Sequence, residues 1–327
     1  MNEENDIDEL LEEAEAFEKR GLRIEAMQVL RSASCIHKDP VVFTRIGALA
    51  TDLELWEEAE TALKNAIALN GDFAPAYFYL GLLLQAEGRF SEALDFLEVA
   101  TRHDPSAPYY TVMGVVQTKL DLMEEAQGSF RTAISLDPDY EEAYYNLAAT
   151  LTETSMDEAR SMLQKAIDID PNYAVAHREL GRCFLNENLP EAEYNLWRAI
   201  QLAPHDGWAH IYLGNLFWRS RDFEPAEAAF RKAIEVWPDS SVPYWCLAYF
   251  LERQDRQQEA QHLYQRALEL DPGDAQANRR FGSYLKDAGQ FEEARTYLLR
   301  AVVLDPGDKQ VAAMLSLVEK QINPELP

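Results

Sequence analysis

Gly207–Ser240 reads GWAHIYLGNLFWRSRDFEPAEAAFRKAIEVWPDS. Leu213, Gly214 and Phe217 fall on one helical face, and Ala226, Phe230 and Ala233 form a stripe of 3.6-residue period on a second. Pro238 ends that second helix: it has no N–H to continue the ladder, and it biases its predecessor away from the helical region. The stretch therefore predicts two amphipathic helices closed by a proline. Small residues at Gly214 and Ala226 let the pair approach closely, and the larger side chains fill the remaining volume.

Moving outward, the pattern repeats. Ala26, Ala59, Ala93, Ala126, Ala159, Ala192, Ala226, Ala260 and Ala294 lie 33 or 34 residues apart. Ala14, Gly47, Gly81, Gly114, Ala148, Gly181, Gly214, Ala248 and Gly282 run in step with them, as do Ala33, Ala66, Ala100, Ala133, Ala166, Ala199, Ala233, Ala267 and Ala301. Pro138, Pro171, Pro204, Pro238, Pro272 and Pro306 close successive units. One helix pair cannot bury both of its faces, so neighbours have to stack.

These columns resemble the tetratricopeptide repeat, with Ala275-Gln276-Ala277-Asn278 through Leu304-Asp305-Pro306 matching its pattern well. The resemblance covers residues 7 to 308. It implies an all-α fold: a right-handed α-solenoid superhelix of helix-turn-helix repeats with a C-terminal capping helix. The chain divides accordingly into an acidic leader and degenerate first repeat (1–39), eight well-formed repeats (40–308), and a capping helix with a short tail (309–327). The first unit carries Glu13-Ala14 where the others have an apolar residue before the small one. In the units of Ala148 and Gly181 the next alanine follows after 11 residues instead of 12, which predicts turns one residue short near Thr154-Ser155 and Asn188–Pro190. In the last segment Val311, Leu315, Val318 and Ile322 are expected to face inward, with Lys309, Gln310, Glu319, Lys320 and Gln321 in water.

The 327 residues carry 30 Lys and Arg against 57 Asp and Glu, a net charge of −27. Nucleic acid and anionic lipid both require cations on the protein, so neither is expected as a partner. The opening MNEENDIDELL is acidic where a leader would be basic, and the apolar stretch Tyr244–Leu251 falls far short of the roughly 20 residues that a membrane-spanning helix needs. Cys35, Cys183 and Cys246 are widely separated, so core packing is expected of each rather than a disulfide or zinc site. A cytoplasmic location without membrane insertion is the expectation.

Little in the sequence suggests catalysis. No two histidines stand at the i, i+4 spacing of a helical metal site, and His177 shares a column with Tyr77, Tyr110, Tyr144 and Tyr244, which points to packing. Neither a phosphate-binding Gly-rich loop nor a Gly-x-Ser-x-Gly elbow occurs. Acid pairs such as Glu57-Glu58 and Glu124-Glu125 precede the alanine column, where they complement helix dipoles. No enzyme activity, cofactor or metal is expected.

In the resembled fold the first helix of each repeat lines a groove, and reading that face gives a set of candidate contacts. The third and fifth repeats supply Phe78, Tyr79, Leu82, Tyr145 and Asn146. The sixth to ninth supply Arg178, Arg182, Trp208, Tyr212, Asn215, Trp218, Arg219, Trp245, Tyr249, Arg253, Arg279, Arg280 and Lys286. Over six columns of those four repeats there are seven basic residues and three acidic ones, whereas the chain's composition would place about two and about four there. Arginine beside Trp and Tyr suits an extended acidic or aromatic peptide, through bidentate pairing and large rigid contact area. The competing reading is that these arginines pair with acidic neighbours.

Two ligand patterns that the resemblance brings with it are unmet. The carboxylate clamp for chaperone C-termini finds Asn215 and Arg280, but Ile211, Cys246 and Gln276 stand at its other places. A second register begins with Arg178 and Arg182 and continues with Tyr212, Val242 and Cys246. Chaperone tails are therefore not expected. The asparagine ladder of glycosyltransferase-linked arrays is represented by Asn146 alone. A protein-binding adaptor is the leading expectation. The alternatives are a self-assembling array, with Trp197 as an outer-face contact, and a regulatory subunit of a separate enzyme.

Overall fold

The computed structural model describes residues 3–323, with side chains from residue 7 onward. It forms two compact units, residues 1–171 and 172–327. Within the first lie α1 (Glu3–Lys19), α2 (Arg23–Ile36), α3 (Pro40–Asp52), α4 (Trp56–Leu69), α5 (Ala74–Ala86), α6 (Phe90–His103), α7 (Ala107–Lys119), α8 (Met123–Leu136), α9 (Glu141–Leu151) and α10 (Met156–Ile169). The second holds α11 (Ala174–Phe184), α12 (Leu189–Leu202), α13 (Gly207–Arg219), α14 (Phe223–Val236), α15 (Ser241–Glu252), α16 (Gln257–Leu270), α17 (Ala275–Asp287), α18 (Phe291–Leu304) and α19 (Lys309–Ile322). The fold is all-α, and in each unit the helices stack as tandem pairs, an α-solenoid arrangement.

Each pair closes over the small-residue column. A Cβ added to Gly81 would lie 2.7 Å from Leu97 Cγ, one on Gly114 2.6 Å from the Phe130 ring, one on Gly214 2.9 Å from the Phe230 ring and one on Gly282 2.8 Å from Leu298 Cγ. The second helix thus seats one large side chain directly on the backbone of the first. It does so between two alanines of its own, such as Ala93 and Ala100 or Ala226 and Ala233, which are fully buried. Glu57-Glu58 and Glu124-Glu125 occupy the first turns of α4 and α8, as their charge complementarity with the helix N-terminus predicts.

Turn chemistry separates the repeats. Gly21, Glu54, Gly88, Asp121, Arg221, Asp255 and Gly289 adopt positive φ between the helices of a pair. The following N–H then reaches back five residues, as in Leu55 N to Ala50 O, Arg89 N to Leu84 O and Asp222 N to Phe217 O. The two units with 11-residue spacing have no such residue. Ser155 N bonds Leu151 O and Asn188 N bonds Phe184 O, each a four-residue reach. The expectation of a shortened turn is corrected accordingly. The deletion removes the left-handed residue, and the helix absorbs the loss: α9 and α11 have 11 residues where α3, α5, α7, α13 and α17 have 13.

Cys183 and Cys246 are buried, as expected, but Cys35 is exposed on the outer face of α2, which corrects the expectation of core packing there. His177 is buried with Nδ1 2.9 Å from Asn195 Oδ1. On α19, Val311 and Val318 are buried and Leu315 and Ile322 half-buried, while Lys309, Gln310, Lys320 and Gln321 are exposed. Glu319 departs from the expected outward set: it is half-buried and lies 3.6 Å from Arg295.

Candidate functional site

Position along each first helix decides what its side chains do. Counting from the small residue, the place three before holds Phe78, Tyr145, Arg178, Trp245 and Arg279, and within each unit Phe78, Arg178, Trp245 and Arg279 reach the neighbouring repeat. Phe78 stacks on Tyr109 at 4.3 Å. Arg178 Nη1 donates to Asp206 Oδ2 at 2.8 Å, Trp245 Nε1 donates to Asp274 Oδ2 at 3.1 Å, and Arg279 Nη1 donates to Asp308 Oδ2 at 3.3 Å.

The acceptors form a column of their own, eight residues before the small position. Each is also an N-cap. Asp206 Oδ1 accepts from Trp208 N at 3.0 Å, Asp274 Oδ1 from Ala277 N at 2.9 Å, and Asp308 Oδ1 from Gln310 N and Val311 N at 2.9 and 3.1 Å. One oxygen of each carboxylate caps its own helix and the other ties down the preceding repeat. Burial works against the Arg178 charge, yet the Asp206 and Glu179 carboxylates outweigh it and raise the Arg178 pKa. The sequence reading did not single out these aspartates. The signal was present in the recurrence of Asp at one offset before Gly214, Gly282 and Ser316.

The open positions lie two before, one after, four after and five after the small residue. In the second unit Arg182, Leu185, Asn186, Asn215, Trp218, Arg219 and Tyr249 line a depression of about 540 Å³. Trp218 and Tyr249 meet edge to face at 5.4 Å, and the Arg280 guanidinium lies 4.1 Å above the Tyr249 ring. Arg219 and Arg253 are exposed, and among the described residues neither has an ion-pair partner. Arg182 is held by Glu179 at 2.6 Å and Lys286 by Asp287 at 2.9 Å. Tyr212 is half-buried, and burial pushes its hydroxyl up to about 12. Trp208 stacks on Tyr212 at 5.7 Å and meets Trp237 edge-on at 6.0 Å, so it serves packing.

The sequence-based set therefore divides. Tyr212, Asn215, Trp218, Arg219, Tyr249, Arg253, Arg280 and Lys286 stand on the open columns together with Arg182. Arg178, Trp245 and Arg279 are engaged with the next repeat's cap. Leu185 and Asn186, which line the depression, escaped the sequence reading because neither is charged or aromatic.

The first unit presents the same columns with different chemistry. Glu15, Glu18, Arg45, Thr51, Asp52, Tyr79 and Leu82 are among the residues around a depression of about 760 Å³. Arg45 is consumed there, donating to Glu18 Oε1 at 2.7 Å and to Leu11 O at 3.0 Å. Asn146 borders a separate 410 Å³ hollow with Met123 and Phe130, and its amide donates to Glu142 O. An apolar groove was expected from Phe78, Tyr79, Leu82 and Tyr145; the open columns near Tyr79 are instead mixed, with acids on one side.

Comparison with known proteins agrees with this architecture. Family models described as tetratricopeptide repeat match residues 51–114, 107–140, 141–173, 211–275 and 252–318. The Drosophila melanogaster protein O-mannosyl-transferase Tmtc3 is 32% identical over 114 residues, covering 34% of this chain and 12% of its own length. Anaphase-promoting complex subunit 7 of Dictyostelium discoideum is 33% identical over 101 residues, covering 31% of this chain and 17% of its own. The chain thus spans a small part of each relative. Among solved structures, a tetratricopeptide repeat protein from Parabacteroides merdae superposes with a TM-score of 0.65 at 16% identity, covering 75% of this chain and 98% of that one. The Cut9–Hcn1 hetero-tetramer gives 0.60 at 16%, covering 91% and 59%, and yeast Tom70 gives 0.57 at 14%, covering 98% and 89%. By the repeat columns, the paired helices and the matched family models together, this chain belongs to the tetratricopeptide repeat family.

Proposed function

We propose that the chain is a protein-binding adaptor whose second unit takes an extended acidic or aromatic peptide segment along the first-helix face. The observation that carries this reading is the pair Arg219 and Arg253. Both are exposed cations without an ion-pair partner among the described residues; Arg219 lines the depression with Trp218 and Tyr249, and Arg253 stands one helical turn after Tyr249, in a chain of net charge −27. A peptide carboxylate would find a guanidinium there, and a neighbouring ring would find an aromatic wall. Cut9–Hcn1, which shares this fold, is a hetero-tetramer, which fits an adaptor role. The adaptor reading includes no enzyme activity. Tmtc3 is named as a transferase, but its matched stretch is only 12% of its length. No helix among the described residues is long and apolar enough to cross a membrane, and a cytoplasmic location goes with this reading.

The test is selection from a library of 12-residue peptides by the whole chain and by an Arg219→Glu, Arg253→Glu variant. Acidic, ring-bearing sequences should be enriched by the parent and lost by the variant. Equal enrichment by both would reject the site. Charge reversal at Arg178 or Arg279 is a poor test, because it also breaks the ties to Asp206 and Asp308.

A second reading, self-assembly through the outer face, draws on Tyr194 and Trp197, which are 65% and 44% exposed on α12. Growth of particle mass with concentration in sedimentation, abolished by Trp197→Ser, would favour it.

A further inference from the structure

In the column frame of the repeats, the place two after the small residue is a filling position. Leu49, Leu83, Val116, Leu216, Phe250 and Tyr284 hold it, and all six are buried. The side chain there packs on the large residue of the preceding repeat's second helix: Phe250 lies 5.5 Å from the Phe230 ring, and Tyr284 5.7 Å from that of Tyr264. The fifth repeat departs from this. Thr150 stands at the place and is only half-buried, and Phe130, the counterpart of Phe230, lines a hollow of about 410 Å³ beside it. The helix that carries Thr150 is also short, with α9 ending at Leu151. α11 is equally short, but Cys183 and Leu185 are buried there, so that repeat keeps its filling.

The hollow has two kinds of wall. Val115, Met123, Phe130 and Ala149 make one side apolar. On the other, Thr118 Oγ1 donates to Gly114 O at 2.9 Å, Thr150 Oγ1 to Leu147 O at 2.8 Å and Thr152 Oγ1 to Ala149 O at 3.1 Å. Those three hydroxyl protons are spent on the helix itself, so the oxygens are left as acceptors. Asn146 turns its amide N–H to Glu142 O at 2.8 Å, which leaves Oδ1 as a fourth. Lys119 and Glu153 add one charge of each sign to the rim, so it favours neither a cation nor an anion. A volume of this order, mostly apolar with a few converging polar groups, suits a small ligand. We propose that the hollow between the fourth and fifth repeats binds a small neutral aromatic molecule carrying a hydrogen-bond donor, of the phenol or indole class. Its ring takes the place on Phe130 that Phe250 takes on Phe230, and its O–H or N–H meets the threonine and asparagine oxygens. The site shares no residue with the Arg219–Arg253 surface, so the two readings are independent.

The probe is indole, titrated against the full chain and followed by ligand-observed NMR. Saturable binding is expected, and 1-methylindole, the same ring without the N–H, should bind roughly threefold or more weaker. Thr150→Leu puts into the hollow the side chain that stands at Leu49, Leu83 and Leu216. It should weaken indole roughly tenfold or more while the melting temperature holds or rises, as the filling of a void allows. Ala149→Phe, at an exposed position of the same wall, blocks the hollow without touching the packing around Thr150 and should act alike. Arg219→Glu should leave the titration unchanged. Absence of saturable indole binding overturns the proposal, as does binding that is equal in the parent and both blocked variants. Equal affinity for 1-methylindole would overturn the ligand class, since the acceptor oxygens would then play no part.

Discussion

The Asp206 carboxylate is shared by two repeats: Oδ2 accepts from Arg178 Nη1 at 2.8 Å, and Oδ1 accepts from Trp208 N at 3.0 Å at the start of α13. The contact closes a gap of 28 residues, and its counterparts at Asp274 and Asp308 each close 29. Side chains that look like ligand contacts in the sequence are therefore part of the repeat-to-repeat joint.

Replacing Asp206 with Ala removes a helix cap and leaves a half-buried guanidinium with Glu179 alone. The expected loss is about 1–3 kcal/mol of stability. Arg219→Ala, on the open face, should stay within about 0.5 kcal/mol. Urea melts of the two variants against the parent compare them directly, and equal midpoints would mean that the Asp206 joint contributes little.

The seating of large residues on glycine predicts strong size sensitivity. Gly214→Val places carbon atoms inside the contact radius of the Phe230 ring, which is itself 1% exposed and cannot yield. Overpacking of this kind costs about 1–3 kcal/mol. The matching change on α19, Ser316→Val, should leave the thermal midpoint nearly unchanged, because Ser316 is exposed.

Four inter-helix turns carry side chains at positive φ. Arg221, at +64°, is one of them, with the Asp222 N–H reaching back to Phe217 O. Arg221→Gly relieves the steric cost of that conformation, partly offset by greater unfolded-chain freedom. A net gain of a few tenths to about 1 kcal/mol is expected in calorimetry. No comparable gain should follow at Glu153, whose turn has no left-handed residue.

Glu252 lies half-buried and accepts from the Tyr264 hydroxyl at 2.7 Å. Burial is the larger influence and raises its pKa above 4.5, against the opposing Tyr264 hydrogen bond. A raised folded-state value means the folded chain holds its proton more tightly than the unfolded one. Its stabilising contribution is complete below pH 4.5 and declines as the pH rises through the folded-state value. Glu252→Gln should therefore match the parent at pH 4 and exceed it slightly at pH 7, by under about 1 kcal/mol after solvent screening. Melting curves at the two pH values check this, and a variant less stable than the parent at pH 7 would contradict it.

The repeat was legible because its information is local. Small residues such as Gly214, with Ala226 and Ala233 after it, recur at helical spacing. Helix pairing, the covering of one face and the closing proline all follow from that spacing. The turn at Thr152–Ser155 was misjudged because an 11-residue interval shows that something is lost without showing which residue gives way. The left-handed position disappeared and the helix shortened, an outcome set by where the hydrogen-bond ladder could still close.

For the candidate site, the sequence placed an excess of cations on the first helices and left open which of them pair internally. Periodicity assigns a residue to a helix face, but whether Arg178 meets a ligand or a neighbour depends on an aspartate 28 positions away. That distance closes only when repeats stack. The helical pairs and their order were determined by the sequence itself, since each depends on contacts within about a turn or two. The division of the first-helix arginines into structural and exposed ones was decided by tertiary packing, because ion pairing depends on separation in space.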